Sequence, residues 1–184
     1  LSENCTIQPG AFINNVQKVA HLKNKELFTG WAQNDITEFL QFVTECFHSA
    51  ICREVEMNIT GSAVSSTDRL AETCYKMMKD MYKKDYSEIL NIFYGIHVSE
   101  IASLDKGESL SLRPEPFSVL SLPIPDTRNP TIFDCLDEYC KKETLDGENA
   151  WYNEDLDIHQ NVSRGIIFWS LPNILIIDLK RWTS

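Results

Sequence analysis

Six cysteines and four histidines are the residues of this chain whose types could carry nucleophilic chemistry, because a thiolate activated by an imidazole attacks carbonyl carbon. Their spacing does not pair them. Cys46 falls on an apolar stripe and His48 stands two residues on, so on a helix the two point to different faces. Cys52 has no evident base, and Cys74 reads as core beside Leu70 and Met77. Cys135 and Cys140 are five apart, outside the three-or-four spacing that shares a helix face. His21, His97 and His159 stand isolated and read as structural or surface residues. With Cys5 included, no C-x-x-C pair occurs, so the thiols are too sparse for a disulfide scaffold. Reduced thiols of a cytoplasmic or nuclear protein are the expectation. No catalytic residue is assigned within this chain. The remaining polar feature is Gln33-Asn34-Asp35, just ahead of an apolar-periodic stretch. Asp35, with Glu38 three residues on, reads as the start of a capping box that satisfies free backbone N–H groups at the positive end of a helix.

The elements that position these groups follow from hydrophobic spacing. Phe12, Val16, Val19 and Ala20 predict a helix within 9–28. Ile36, Phe39, Leu40, Val43, Phe47, Ala50 and Ile51 predict the strongest helix, with one continuous apolar stripe. A polar loop over 58–66 precedes a third helix over 67–82, on which Leu70, Cys74, Met77 and Met81 share a face. The character then changes. Phe117, Val119, Leu120 and Leu122 read as one strand between Pro116 and Pro123. Thr131, with Asp134 three residues later, caps a short helix. Ile166–Trp169 and Ile174–Ile177 are unbroken apolar runs, suited to strands buried on both faces. Helices first and strands second give an α+β fold.

A chain of 184 residues with 43% hydrophobic content can bury one ordinary core. Seventeen basic against 27 acidic residues leave a net charge of −10, which weighs against nucleic acid and favours a basic partner. No run of about 18 apolar residues is present, so no membrane span is expected.

Gln33-Asn34-Asp35-Ile36-Thr37-Glu38-Phe39-Leu40 resembles the Q-Q-D-x-x-E-F-L box of the ubiquitin-specific proteases, the papain-like deubiquitinases. Leu171-Pro172-Asn173-Ile174-Leu175, running on to Leu179-Lys180-Arg181-Trp182, resembles their L-P-x-x-L-x-x-x-L-K-R-F strand. Two further matches lie between these in the family's order. One is Glu115-Pro116-Phe117 with Leu120-Ser121-Leu122-Pro123, and the other is Glu143-Thr144-Leu145 through Asn149-Ala150-Trp151. Phe93-Tyr94-Gly95 stands where the family has an F-x-G turn.

The resemblance implies a partial papain-like fold over 1–184, with thumb-like helices over 1–95 and reduced fingers and palm-like strands over 96–184. Its implied function is thiol-dependent hydrolysis after the C-terminal glycine of ubiquitin or a ubiquitin-like protein. The family's G-N-T-C-Y nucleophile box and G-H-Y histidine box are not in this chain. The catalytic groups are therefore expected outside it, and the segment alone is expected to be inactive. Carried onto these positions, Gln33, Asp35 and Trp182 would line the channel that threads the ubiquitin tail. One Asp35 oxygen can cap the helix while the other accepts from an arginine or amide of that tail. The box departs from the family at Asn34, where a second glutamine is usual, and at Ile36, where a small residue is. Many members close their fingers with zinc held by two C-x-x-C pairs. Here those positions fall at Asn153 and Leu156 and within Ala102 to Asp105, so neither metal nor any other cofactor is expected. The alternative readings are a catalytically inactive ubiquitin-binding pseudoprotease and a protease-derived scaffold.

Overall fold

A computed structural model describes residues 6–181, which form two compact units dividing between Ala50 and Ile51. The first is helical. α1 (Gly10–Leu22) ends sooner than its apolar spacing suggests, because Asn24 enters the left-handed region at φ 54°. The Lys25 N–H then returns to the Ala20 carbonyl at 2.9 Å, and the chain restarts as a single 3-10 turn over Glu26–Phe28. α2 (Ile36–Ile51) follows. Phe28 stacks on Phe42 at 4.8 Å and meets the edge of Phe39 at 5.8 Å, closing a small core with Ala20, Val16 and Val19. Burying each phenyl ring contributes about 2–3 kcal/mol, enough to hold helices too short to persist alone.

The second unit starts with α3 (Ser66–Lys84), opened by a complete capping box. The Asp68 N–H donates to Ser65 Oγ at 3.1 Å, and the Ser65 N–H donates to Asp68 Oδ2 at 2.8 Å. α4 (Glu88–Phe93) leads into β1 (Gly95–Ser103), which folds back antiparallel on β2 (Ser109–Phe117). β3 (Val119–Pro123), α5 (Ile132–Cys140), β4 (Glu143–Leu145), β5 (Trp151–Asn153), β6 (Ile158–Gln160), β7 (Val162–Ser170) and β8 (Ile176–Lys180) complete the order. The main sheet runs β2-β1-β7-β4, while β3 pairs parallel with β8 and β5 pairs antiparallel with β6.

Alternation along the strands supplies two apolar layers. Ile96 and Val98 of β1 join Ile167 and Trp169 of β7 against Leu70, Cys74 and Met77 of α3. Phe117 and Phe168 instead pack with Leu120, Leu122 and α5. The run Ile166–Trp169 therefore serves both faces, as its unbroken apolarity predicts. The single strand expected over Phe117–Leu122 is two strands. Phe117 ends the hairpin with β1, whereas Leu120 and Leu122 belong to the parallel pair with β8. β2 itself is disguised in sequence by Pro114 and Pro116, which are tolerated because it is the sheet's outer strand. Four α-helices precede the first strand, α5 returns between β3 and β4, and the class is α+β.

Candidate functional site

Asp35 caps α2 with one oxygen. Its Oδ1 accepts from the Thr37 N–H at 2.7 Å and from the Glu38 N–H at 3.0 Å, drawing on the positive end of the helix. Asp35 is an exposed residue, and no hydrogen bond to its Oδ2 occurs among the described residues. The expected return bond from the Asp35 N–H to the Glu38 carboxylate is absent among the described residues. The first turn is closed instead by Oδ1 serving both amides. Just before the helix, the Asn34 Nδ2 donates to the Ala32 carbonyl at 3.0 Å, while Gln33 stays exposed. Two apolar side chains stand beside them, Trp31 at 83% exposure and Ile36 at 66%. Trp31 went unremarked in the sequence. Its signal was a tryptophan in a polar segment directly ahead of the box. A carboxylate, a carboxamide and an indole in one exposed segment can receive an extended chain that carries amides and a cation. Trp182, the third member expected here, lies outside the described residues.

Three of the described thiols are poorly placed to act as nucleophiles. Burial pushes Cys46, Cys74 and Cys140 above the ordinary thiol value, keeping them protonated at neutral pH. Cys46 sits in an apolar groove of about 270 Å3 between α1 and α2, flanked by Val19, Phe42 and Val43. His97 is a residue of the sheet. Its ring stacks on Phe117 at 5.4 Å, and its Nε2 lies 3.6 Å from the Glu115 carboxylate directly opposite on β2.

The zinc positions implied by the family resemblance are occupied by chemistry that does not fit a metal. Leu156 offers no donor atom, and the Asn153 carboxamide oxygen is already committed to two backbone amides. The turn after β1 is closed by backbone bonds, Gly107 N–H to Ser103 O and Ser103 N–H to Glu108 O, each 2.9 Å. No group of three His, Cys, Asp or Glu side chains able to hold a metal occurs among the described residues.

A family model described as ubiquitin carboxyl-terminal hydrolase matches residues 1–184. Ubiquitin carboxyl-terminal hydrolase 4 of Eremothecium gossypii is 31% identical over 165 residues, covering 83% of this chain and 18% of that protein. Ubiquitin carboxyl-terminal hydrolase 2 of Bos taurus is 26% identical over 187 residues, covering all of this chain and 30% of its own length. The chain therefore spans less than a third of either relative. Among solved structures, a chain of the SAGA DUB module of Ubp8, Sgf11, Sus1 and Sgf73 bound to monoubiquitin superposes with a TM-score of 0.65. That match has 20% identity and covers 95% of this chain and 33% of the other, which establishes a shared fold.

Proposed function

This chain belongs to the ubiquitin carboxyl-terminal hydrolase family, and from that premise we propose that it is the substrate-gripping part of a thiol-dependent deubiquitinase. In this reading the Gln33–Asp35 segment holds the extended C-terminal tail of ubiquitin or a ubiquitin-like protein, and Trp182 is a further tail-binding residue that the family resemblance implies. A cysteine thiolate elsewhere in the protein, its proton taken by a histidine, would attack the carbonyl of the terminal glycine, so that the conjugate's amine leaves with that proton and water then hydrolyses the thioester to free the tail. The observation that carries the proposal is the division of labour on Asp35. Oδ1 fixes the carboxylate on a helix end, and the exposed residue keeps Oδ2 without a described partner, so that it could accept from a cation or amide of the tail. No described helix is long and apolar enough to cross a membrane. A cytoplasmic or nuclear location goes with the reduced thiols expected from the sequence.

Capture on ubiquitin immobilised through its N-terminus, with the tail free, tests the reading. Asp35→Asn keeps an oxygen for the cap but removes the charge. It should weaken capture about fivefold while helical content stays unchanged. Undiminished capture by a folded Asp35→Asn protein removes Asp35 from the tail channel. The pseudoprotease reading draws on the departures at Asn34 and Ile36. It predicts the same loss of capture, together with no hydrolysis of a ubiquitin C-terminal fluorogenic amide by the whole parent protein.

A further inference from the structure

The β5–β6 hairpin ends in the tight turn Asn153-Glu154-Asp155-Leu156-Asp157, where the family resemblance puts a pair of metal thiolates. The turn has its own means of closure. Asn153 is one of only two buried polar residues among those described, at 8% exposure. Its carboxamide Oδ1 accepts from the Asp155 N–H at 3.1 Å and from the Leu156 N–H at 3.3 Å. Asp157 takes the left-handed region at φ 56°, which aspartate tolerates better than most residues. The Tyr152 hydroxyl donates to the Asp157 carboxylate across the base of the turn. One strand back, His159 Nδ1 lies 3.1 Å from the Ala150 carbonyl, holding the open end of the hairpin. These groups satisfy the amides that a tight turn would otherwise leave orphaned, and an Asx turn does this with no metal.

We infer that the hairpin is a metal-free knuckle in which the Asn153 carboxamide performs the structural work a bound zinc would perform, so that its order is indifferent to chelators and to thiol oxidation. Both properties follow from the donor set. Leu156 cannot ligate, no thiol lies in the turn, and the atom that gathers the Asp155 and Leu156 amides is an amide oxygen. The hairpin also forms one wall of a cleft of about 420 Å3 against Arg113 and Arg164 of the main sheet. Where Proposed function holds, partner capture should share this indifference.

The test uses the full chain. Zinc content after purification in zinc-supplemented medium should be far below one per chain. A strong chelator should leave the melting temperature and ubiquitin capture unchanged. Hydrogen exchange then isolates Asn153. In Asn153→Ala the Asp155 and Leu156 amides should exchange about tenfold faster, with β1 and β7 protection kept, whereas Asn153→Asp should retain wild-type protection. Stoichiometric zinc that survives dialysis, melting lowered by chelator, or unaltered exchange in Asn153→Ala would each overturn the inference. Zinc, melting and exchange do not depend on ubiquitin, so failure of the tail-binding reading leaves this one standing on its own measurements.

Discussion

Arg53 shows how much a single residue can organise here. Its guanidinium grips Glu88 with both terminal nitrogens, Nη1 to Oε2 at 3.1 Å, and lies 5.1 Å from the centre of the Tyr86 ring. Its backbone exchanges two hydrogen bonds of 2.8 Å with Tyr86. The hydrogen bond from Arg53 is the main cause that holds the Glu88 carboxyl down from 4.5 to about 2. A carboxyl lowered in the folded state contributes stability above its unfolded value, and that contribution disappears as pH falls from about 4.5 through about 2. Both side chains are more than half exposed, so the contribution is small. Glu88→Gln should therefore melt close to wild type at pH 7 and lose less melting temperature than wild type between pH 4.5 and pH 2. Parallel melting curves over that window would show that the pair is not formed in solution. Asp68 and Asp134, lowered by their own capping bonds, should leave a shared residual decline in both proteins. Asp35 and the Thr131–Asp134 cap were legible in the sequence because their partners lie within three residues. The Arg53–Glu88 clasp spans 35 positions, and no local pattern announces it.

Among the elements, the β1–β2 hairpin depends on its first residue having no side chain. A Cβ built on Gly95 would stand 2.5 Å from the Phe117 ring and 2.7 Å from the Ser170 carbonyl, so one obstacle is core and the other is backbone of the neighbouring strand. Neither can retreat without opening the pairing of β1 with β2 or β7. Gly95→Ala should cost about 2–3 kcal/mol and lower the midpoint of denaturant unfolding. Gly165→Ala is the matching control. Its nearest neighbour is the flexible Lys142 chain at 3.0 Å, and it should change stability by less than about 1 kcal/mol. Equal effects of the two substitutions would mean that the close approach at Gly95 is not a constraint. Gly95 also explains which strands the sequence could disclose. Apolar runs such as Ile166–Trp169 announce buried strands because both of their faces meet hydrophobic layers. β2 reads Ser-Leu-Ser-Leu-Arg-Pro-Glu-Pro-Phe, and its place comes from partners on β1 and from an outer edge that spares its prolines. The break between β2 and β3 was hidden for the same reason, since pairing rather than composition separates Phe117 from Leu120.

For the whole molecule, the net charge of −10 is a property that no single contact expresses. The Asp35 segment that faces a proposed tail belongs to a chain with 27 acidic residues, whose summed field extends beyond any one carboxylate. On the proposed reading, a tail carrying positive charge would be drawn in by that field before reaching Gln33 or Asp35. The attraction acts on encounter more than on residence, because distant charges are screened over about 8–10 Å at ordinary ionic strength while the seated contacts are not. Association of ubiquitin with the chain should therefore slow on the order of tenfold between about 50 and 500 mM NaCl, with the dissociation rate nearly constant. Asp35→Asn should show the complementary pattern, a faster dissociation at every salt concentration with an almost unchanged salt slope. Stopped-flow mixing of labelled ubiquitin with both proteins separates the two effects. A salt-independent association rate would place the acidic surplus outside recognition altogether, as a solvated surface. A salt slope abolished by Asp35→Asn alone would concentrate the attraction in one carboxylate instead of the molecule's field.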